Sequence, residues 1–132
     1  MIDALQKVLE ADARVAYALV FGSVARGDSH AGSDVDVAIG LCAGPRLAIG
    51  EIGDIVSRLE VATSGRSVDL VLLDEAPPAL AYRAFRDGRV IVLRDPAALA
   101  DRKARAVLEY LDFKPVEDLC TRGVLAAASR GR

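Results

Sequence analysis

Two aspartates one residue apart are the first residues of this sequence that could do chemistry. Asp34 and Asp36 alternate with Val35 and Val37 in the stretch SDVDVAI. Side chains two positions apart on a strand point to the same face, with Cα atoms about 6 to 7 Å apart. Carboxylates at this spacing can share one divalent ion and contact a second, and two-metal sites hold their ions about 3.5 to 4 Å apart. The pair therefore predicts a magnesium site on the face opposite Val35 and Val37.

A third aspartate lies in the later stretch SVDLVLL. Val68 and Leu70 supply one face of this run and Asp69 the other, so Asp69 joins the pair if the two strands are neighbours. Two like charges about 4 Å apart repel by roughly 4 kcal/mol at an effective dielectric constant of 20, so three would be costly without cations. In the alternative interpretation Asp34 caps a turn, and Asp36 and Asp69 lie on a solvated sheet face.

A glycine-serine turn precedes the aspartate pair. Gly22 and Ser23 follow the apolar run VAYALVF and open the short stretch SVAR. Backbone N–H groups at such a strand-to-helix turn point outward and attract phosphate. Gly22 would let a phosphate approach the backbone closely, and Ser23 could donate its hydroxyl to a phosphate oxygen. The Gly-Lys-Ser/Thr ending of a P-loop is absent, and a strand-ending turn with a Ser cap is the alternative.

Hydrophobic periodicity predicts the elements that must position these residues. Helices are expected over the first dozen residues, at residues 23–26 and around Ile52–Leu59. Proline starts predict helices from Pro77-Pro78 and from Asp95-Pro96 to about residue 111, with a last short helix from Pro115. Strands are expected at residues 15–21, 34–39, 68–73 and 89–93. This order indicates an α/β (α+β) domain with a small mixed sheet of about four strands flanked by helices.

Length and charge limit the classes of function. The 132 residues suit a single domain, with a core over about residues 1–113 and a helical end at 114–132. Hydrophobic residues make up 52% of the chain and aromatic residues 5%, which predicts an aliphatic core. The net charge is −2, with 17 basic and 19 acidic side chains mixed along the chain. A broad positive surface for long nucleic acid is therefore not expected.

Cysteine usage and hydropathy indicate a compartment. Cys42 and Cys120 are isolated and His30 is the only histidine, so neither a zinc site nor a disulfide framework is predicted. No apolar stretch reaches the roughly 18 residues of a membrane helix, and the acidic, helix-periodic start does not resemble a signal peptide. We expect a soluble cytoplasmic protein with no membrane partner.

The stretch GSVARGDSHAGSDVDVAI resembles the signature of the polymerase-β-type nucleotidyltransferase superfamily. It combines a Gly-Ser, the Arg26-Gly27 pair, a short linker and a Ser-Asp-x-Asp, and a third aspartate follows on a later strand. The short chain and the segment EYLDF, Glu109 to Phe113, resemble the minimal nucleotidyltransferases, the MNT proteins often paired with HEPN-domain partners. The resemblance covers most of residues 1–113 and implies the polymerase-β-type nucleotidyltransferase fold.

The same resemblance implies a role for each residue of the motif. Asp34, Asp36 and Asp69 would hold two Mg²⁺ ions, and Asp69 would help to deprotonate the acceptor hydroxyl. Gly22 and Ser23 would bind the triphosphate of the nucleotide. A nucleoside monophosphate would then pass from the triphosphate to an acceptor, and pyrophosphate would leave.

Two further residues of the motif are candidates for nucleotide binding with open alternatives. Arg26 would reach phosphate or form a salt bridge with the acidic strand. Ser33 would orient the carboxylate strand or simply cap the loop. Outside these roles, Asp28 is expected in a turn, His30 in solvent and Tyr110 in a packing contact.

The resemblance also implies a function and a partner. MNT proteins act as antitoxins of HEPN/MNT pairs and transfer AMP from ATP to a hydroxyl of the HEPN RNase, a tyrosine in known cases. The compact core offers no platform for an acceptor, so a HEPN toxin, encoded by a neighbouring gene, or another copy in an oligomer would deliver it. Two alternatives stay open: a non-catalytic antitoxin that neutralises its partner by contact, and a small-molecule nucleotidyltransferase of the antibiotic-modifying type.

Overall fold

Four strands and five helices form the part of the chain that the structure, a computed structural model, describes: residues 1–27, 33–42 and 46–112. The helices are α1 (Ile2–Glu10), α2 (Ser23–Arg26), α3 (Ile49–Ala62), α4 (Pro78–Asp87) and α5 (residues 96–112). The strands are β1 (Val15–Phe21), β2 (Val35–Leu41), β3 (Val68–Leu72) and β4 (Arg89–Leu93). The predicted α+β class, with a mixed four-stranded sheet flanked by helices, is confirmed.

The sheet has the strand order β3-β2-β1-β4. β2 and β3 run parallel and are connected through α3, because parallel neighbours need a crossover. β1 is antiparallel to both of its neighbours, β2 and β4. The two strands that carry the predicted aspartates are therefore adjacent, as the sequence interpretation required.

Aliphatic side chains pack on both faces of the sheet. Helices α1 and α3 cover one face, where the buried residues include Leu5, Leu9, Val35, Val37, Ile39, Ile55 and Leu59. Helices α4 and α5 cover the other face, where the buried residues include Leu19, Phe21, Ala38, Ala81, Ala84, Phe85 and Ala106. The alternation along β2 thus puts its valines against α1 and α3, and its intervening residues toward α4.

One buried arginine holds α5 against the sheet. Arg102 is 6% exposed, and its Nε and Nη2 atoms donate to the Leu73 carbonyl oxygen at 3.0 and 2.8 Å. Its Nη1 atom donates to Glu109 at 3.3 Å. On the same helix Tyr110 stacks on Tyr82 of α4, with ring centroids 4.1 Å apart, in the packing role predicted for Tyr110. These contacts fix α4 and α5 beside the carboxyl end of β3.

Local signals explain where several elements begin. The Asp95 side chain accepts a hydrogen bond from the Ala98 N–H at 3.1 Å, which is the N-cap expected before Pro96. Pro77 occupies the N-cap position of α4 and is followed by a proline in its first turn. β2 begins at Val35, so Asp34 lies immediately before the strand rather than inside it as predicted.

Several sequence expectations lie outside the described residues. These are the turn at Asp28, the solvent position of His30, the helix from Pro115, Cys120 and the end at residues 114–132. Cys42 is described, and it is a free, exposed thiol. None of the helices in the described ranges combines the length and the apolarity needed to cross a membrane.

Candidate active site

The parallel register of β2 and β3 brings two predicted carboxylates side by side. Asp36 is the direct Cα partner of Asp69, and on its other side it is the partner of Phe21 at the end of β1. Paired residues of neighbouring strands point to the same face of a sheet. Asp36 and Asp69 therefore project together on the face covered by α4, and Asp34 enters the same region from the residue before the strand.

The turn between β1 and α2 lies next to this pair. Gly22 has a φ of +71° and occupies the N-cap position, and Ser23 is the first helical residue. The Arg26 N–H donates to the Gly22 carbonyl at 3.2 Å, and Gly27 ends the helix in the left-handed conformation with φ +78°. The Ser-cap alternative is wrong, because the cap position belongs to a glycine and no side chain caps this helix.

Gly22 and the Asp36 side chain are in very close contact. A Cβ atom added to Gly22 would overlap the Asp36 Oδ2 atom and would lie 3.2 Å from its Cγ atom. The positive φ at this position also disfavours any residue with a side chain. Glycine is therefore required here for two separate reasons, and the contact with Asp36 is one that the sequence did not reveal.

The turn and the carboxylates line one open cavity of about 690 Å³. The seven predicted site residues all contribute to its wall: Gly22, Ser23, Arg26, Ser33, Asp34, Asp36 and Asp69. Helix α4 contributes Leu80, Arg83 and Asp87 to the same wall, and the sequence interpretation did not select these three residues. We call this cavity, with these ten residues, the candidate site.

The missed residues carry a weak sequence signal. Leu80 belongs to the apolar stripe of α4, whereas Arg83 and Asp87 are four residues apart on its polar side. A charged pair at that spacing usually lies on the solvated face of a helix. Only the packing of α4 against the sheet brings Arg83 and Asp87 to the cavity that the aspartates line. Arg26 and Arg83 are the guanidinium groups of this cavity wall, and both are exposed.

The electrostatic environment of Asp36 disfavours its charge. Burial raises the pKa of the Asp36 carboxyl above its ordinary value of 3.8, and the negative charges of Asp69 and then Asp34 raise it further. The positive charges of Arg83 and Arg26 lower the pKa but do not cancel the increase. A half-buried carboxylate that is repelled by two others would gain from a nearby cation.

The backbone next to Asp34 is anchored by a distant arginine. Arg66, in the connection that precedes β3, donates from Nε and Nη2 to the Ser33 carbonyl oxygen at 3.2 and 2.9 Å. The Val35 N–H donates to the Ser67 carbonyl at 2.9 Å. These bonds hold the entry to β2 against the entry to β3, on both sides of Asp34. The Ser33 side chain also lines the candidate site.

The residues present fit a divalent cation. Asp34, Asp36 and Asp69 provide carboxylate oxygens, which are the ligands that Mg²⁺ prefers, and they line one cavity. Within the described ranges, no three acidic, histidine or cysteine side chains already converge as a cluster that could hold a metal ion. The three carboxylates would therefore have to draw together around a bound ion.

A mixed sheet with a glycine-serine turn beside carboxylates on two adjacent strands defines a nucleotidyltransferase-type domain. The family model described as polymerase beta, nucleotidyltransferase matches residues 3–97. The chain therefore belongs to this family, and the predicted resemblance is confirmed. No curated protein sequence gives a significant match.

Solved structures with the same fold include chains of toxin-antitoxin complexes, among them MNT antitoxins with HEPN toxins. A chain of a toxin-antitoxin complex with AMP-PNP is 20% identical, with a TM-score of 0.80 over 94% of this chain and 98% of that chain. A chain of an MntA-HepT complex is 18% identical, with a TM-score of 0.73 over 94% and 96%. A chain from the complex of a tri-AMPylated Shewanella oneidensis HEPN toxin with MNT antitoxin is also 18% identical, with a TM-score of 0.73 over 95% and 99%.

Proposed function

We propose that this protein is an Mg²⁺-dependent adenylyltransferase that transfers AMP from ATP to a hydroxyl of a HEPN toxin, with a tyrosine as the expected acceptor. The observation that carries the proposal is the pairing of Asp36 with Asp69 beside the Gly22-Ser23 turn in one cavity. Family membership supports nucleotidyl transfer as the reaction class. The AMP-PNP and AMPylated complexes among the structural neighbours support an adenine nucleotide and a toxin acceptor.

Each residue has a distinct task in this reaction. Gly22 and Ser23 bind phosphate oxygens through backbone N–H groups and the hydroxyl, and Arg26 adds positive charge to the same wall. Ser33 contributes through its side chain to the edge of the nucleotide site. Asp34, Asp36 and Asp69 would hold two Mg²⁺ ions, which when bound neutralise the phosphates and favour ionisation of the acceptor hydroxyl.

The transfer itself forms one bond and breaks one bond. The acceptor oxygen bonds to the α-phosphorus of ATP, while the bond from this phosphorus to the oxygen bridging to the β-phosphate breaks and pyrophosphate leaves. Asp69, an exposed carboxylate of the candidate site, accepts the proton of the acceptor hydroxyl. Asp36 is half buried and serves to position the ions.

The acceptor comes from another chain. Helices α1 and α3 cover one face of the sheet, and α4 and α5 cover the other. The described residues therefore form a single core and provide no separate domain that could hold an acceptor. The open cavity leaves the aspartates accessible to a side chain of a docked partner. We therefore place the HEPN toxin against the open side of the candidate site, in the cytoplasm where ATP is abundant.

Labelled ATP tests the proposal directly. The protein is incubated with Mg²⁺, ATP labelled at the α-phosphate and the HEPN protein encoded beside it, and transfer of label to the toxin is expected. Asp34→Asn and Asp36→Asn should abolish labelling. Asp54→Asn is the matched control, because Asp54 is an exposed carboxylate on α3 that pairs with Arg58.

The same variants separate enzyme from contact inhibitor. If the toxin is inactivated equally well by Asp36→Asn, with no label transferred by the wild type, neutralisation occurs by contact and the proposal is wrong. If label reaches only a small aminoglycoside-type acceptor and never the toxin, the acceptor class is wrong while the reaction class stands.

A further inference from the structure

Arg83 is an arginine of the candidate site that the motif does not include. It lies on α4, lines the same cavity as the Gly22-Ser23 turn, and is exposed. Within the described ranges the Arg83 side chain forms no hydrogen bond or ion pair, although its charge lowers the pKa of Asp87 on the same helix. Arg83 and Asp36 line the same cavity, and the positive charge of Arg83 favours the ionised Asp36 carboxylate.

The neighbouring carboxylate on α4 already has its own partner. Asp87 accepts hydrogen bonds from Arg86, with Nε and Nη2 each 2.9 Å from a carboxylate oxygen. Arg86 is thus the hydrogen-bonded partner of Asp87, and Arg26 and Arg83 act on this carboxylate through their charges alone. Arg86 in turn also lies 5.8 Å from the centre of the Tyr82 ring, on the side of α4 that packs toward α5. The two arginines therefore have different surroundings. Arg86 is hydrogen-bonded to Asp87, whereas Arg83 lines the cavity.

The charges on the cavity wall suggest a function for the Arg83 guanidinium. Four carboxylates line the candidate site against two guanidiniums, Arg26 and Arg83, so the cavity is negative before any ligand enters. The phosphate chain of a nucleoside triphosphate adds about four negative charges. Cations held by the aspartates would offset part of this repulsion, and a positive side chain on the wall of the same cavity would offset more.

We propose that Arg83 binds the phosphate chain of the nucleoside triphosphate from the α4 side and so closes the phosphate site formed by the turn. This inference rests on the proposed function, since it assigns one more residue to the nucleotide of that site. The planar guanidinium presents paired N–H donors that match two phosphate oxygens, a geometry that lysine reproduces only as a point charge.

The test is the affinity for a non-hydrolysable ATP analogue, AMP-PNP, measured by calorimetry with Mg²⁺ and no toxin. Arg83→Gln is expected to weaken binding roughly tenfold, because an exposed charge-assisted hydrogen bond to phosphate is lost. Arg83→Lys should recover part of the affinity. Both variants should keep the thermal stability of the wild type, since Arg83 has no bonded partner to lose.

Arg58→Gln is the control for loss of one positive charge. Arg58 lies on α3, on the other side of the sheet, and forms an exposed pair with Asp54 at 3.0 Å. It should bind AMP-PNP as the wild type does. If the wild type binds AMP-PNP and Arg83→Gln binds it equally well, the role of Arg83 is disproved and the proposed function is untouched. If the wild type itself binds no nucleotide, both proposals fall.

Discussion

The Gly22 backbone lies so close to the Asp36 carboxylate that even a methyl group on the glycine would overlap an Asp36 oxygen. The Gly22-Ser23 turn and the Asp36 carboxylate of the candidate site are thus a single packed unit. A change in one must move the other, and this coupling can be measured.

Gly22→Ala should uncouple stability from activity when it is compared with Gly27→Ala. Both glycines have a positive φ, +71° and +78°, so both substitutions should cost about 1 to 2 kcal/mol of unfolding free energy. Only Gly22 has Asp36 in the path of the new Cβ atom, whereas nothing lies within 4 Å at Gly27. Denaturant unfolding and AMP transfer should be measured on both variants. Equal transfer by the two would show that the Gly22 contact does not position Asp36.

Asp36→Asn should make the protein more stable at neutral pH while it removes activity. Burial, Asp69 and Asp34 raise the pKa of Asp36 in the folded state above 3.8, so the folded protein holds this proton more tightly than the unfolded chain does. Wild-type stability is unaffected by this group below pH 3.8 and declines as the pH rises through the raised pKa. The variant lacks this decline. Transfer should fall at least about 100-fold, as expected when a group that organises transition-state charge is lost.

The measurement for Asp36→Asn is chemical denaturation over a pH series in the absence of divalent ions. The stability difference from the wild type should grow between pH 3.8 and neutrality. Asp54→Asn, which changes an exposed carboxylate on α3, should show no such growth. A constant difference across the series would contradict the assigned environment of Asp36.

Arg66→Gln should impair transfer through the backbone of Ser33. Two hydrogen bonds from Arg66 to the Ser33 carbonyl hold the residue that precedes Asp34. Their loss should reduce the unfolding free energy by about 1 kcal/mol and should lower transfer more strongly, since a displaced Asp34 carboxylate would no longer match the ions that we propose it holds. If Arg66 positions Asp34, the Arg66→Gln variant should need a higher Mg²⁺ concentration for half-maximal activity than the wild type does. An unchanged Mg²⁺ dependence would assign Arg66 to stability alone.

Arg102→Gln should destabilise the fold far more than Arg105→Gln. Arg102 is buried and donates to the Leu73 carbonyl and to Glu109, so its removal leaves a buried acceptor without a donor. We expect a loss of about 2 to 3 kcal/mol. Arg105 shares Glu109 at 3.3 Å but is exposed, and its substitution should cost less than about 0.5 kcal/mol. Thermal unfolding of the two variants measures this difference. Similar melting temperatures would contradict the anchoring role of Arg102.

Local chemistry accounts for what sequence reasoning predicted well. The alternation of Val35 and Val37 with Asp36 determines which face of β2 carries the carboxylate, because strand geometry has a period of two. Asp95 before Pro96 determines the start of α5, because a side-chain cap and a proline act within one turn. Gly22 and Ser23 likewise mark a strand-to-helix turn from their own conformational preferences.

The boundaries of strands, and contacts between residues far apart in the chain, were harder to predict from the sequence. Asp34 was expected inside β2 and lies just before it, since the strand begins where pairing with β3 begins, and pairing is not a local property. Arg66 and Ser33 are 33 positions apart in the chain, so no spacing rule connects them.

The sequence by itself determined the residue types at the candidate site, the faces of its strands and the class of chemistry, because these depend on neighbours along the chain. Only the tertiary structure decided that Asp36 pairs with Asp69, that Gly22 contacts the Asp36 carboxylate and that α4 places Arg83 above them. Strand register and helix packing depend on the whole core, because each element must bury its hydrophobic face against another element.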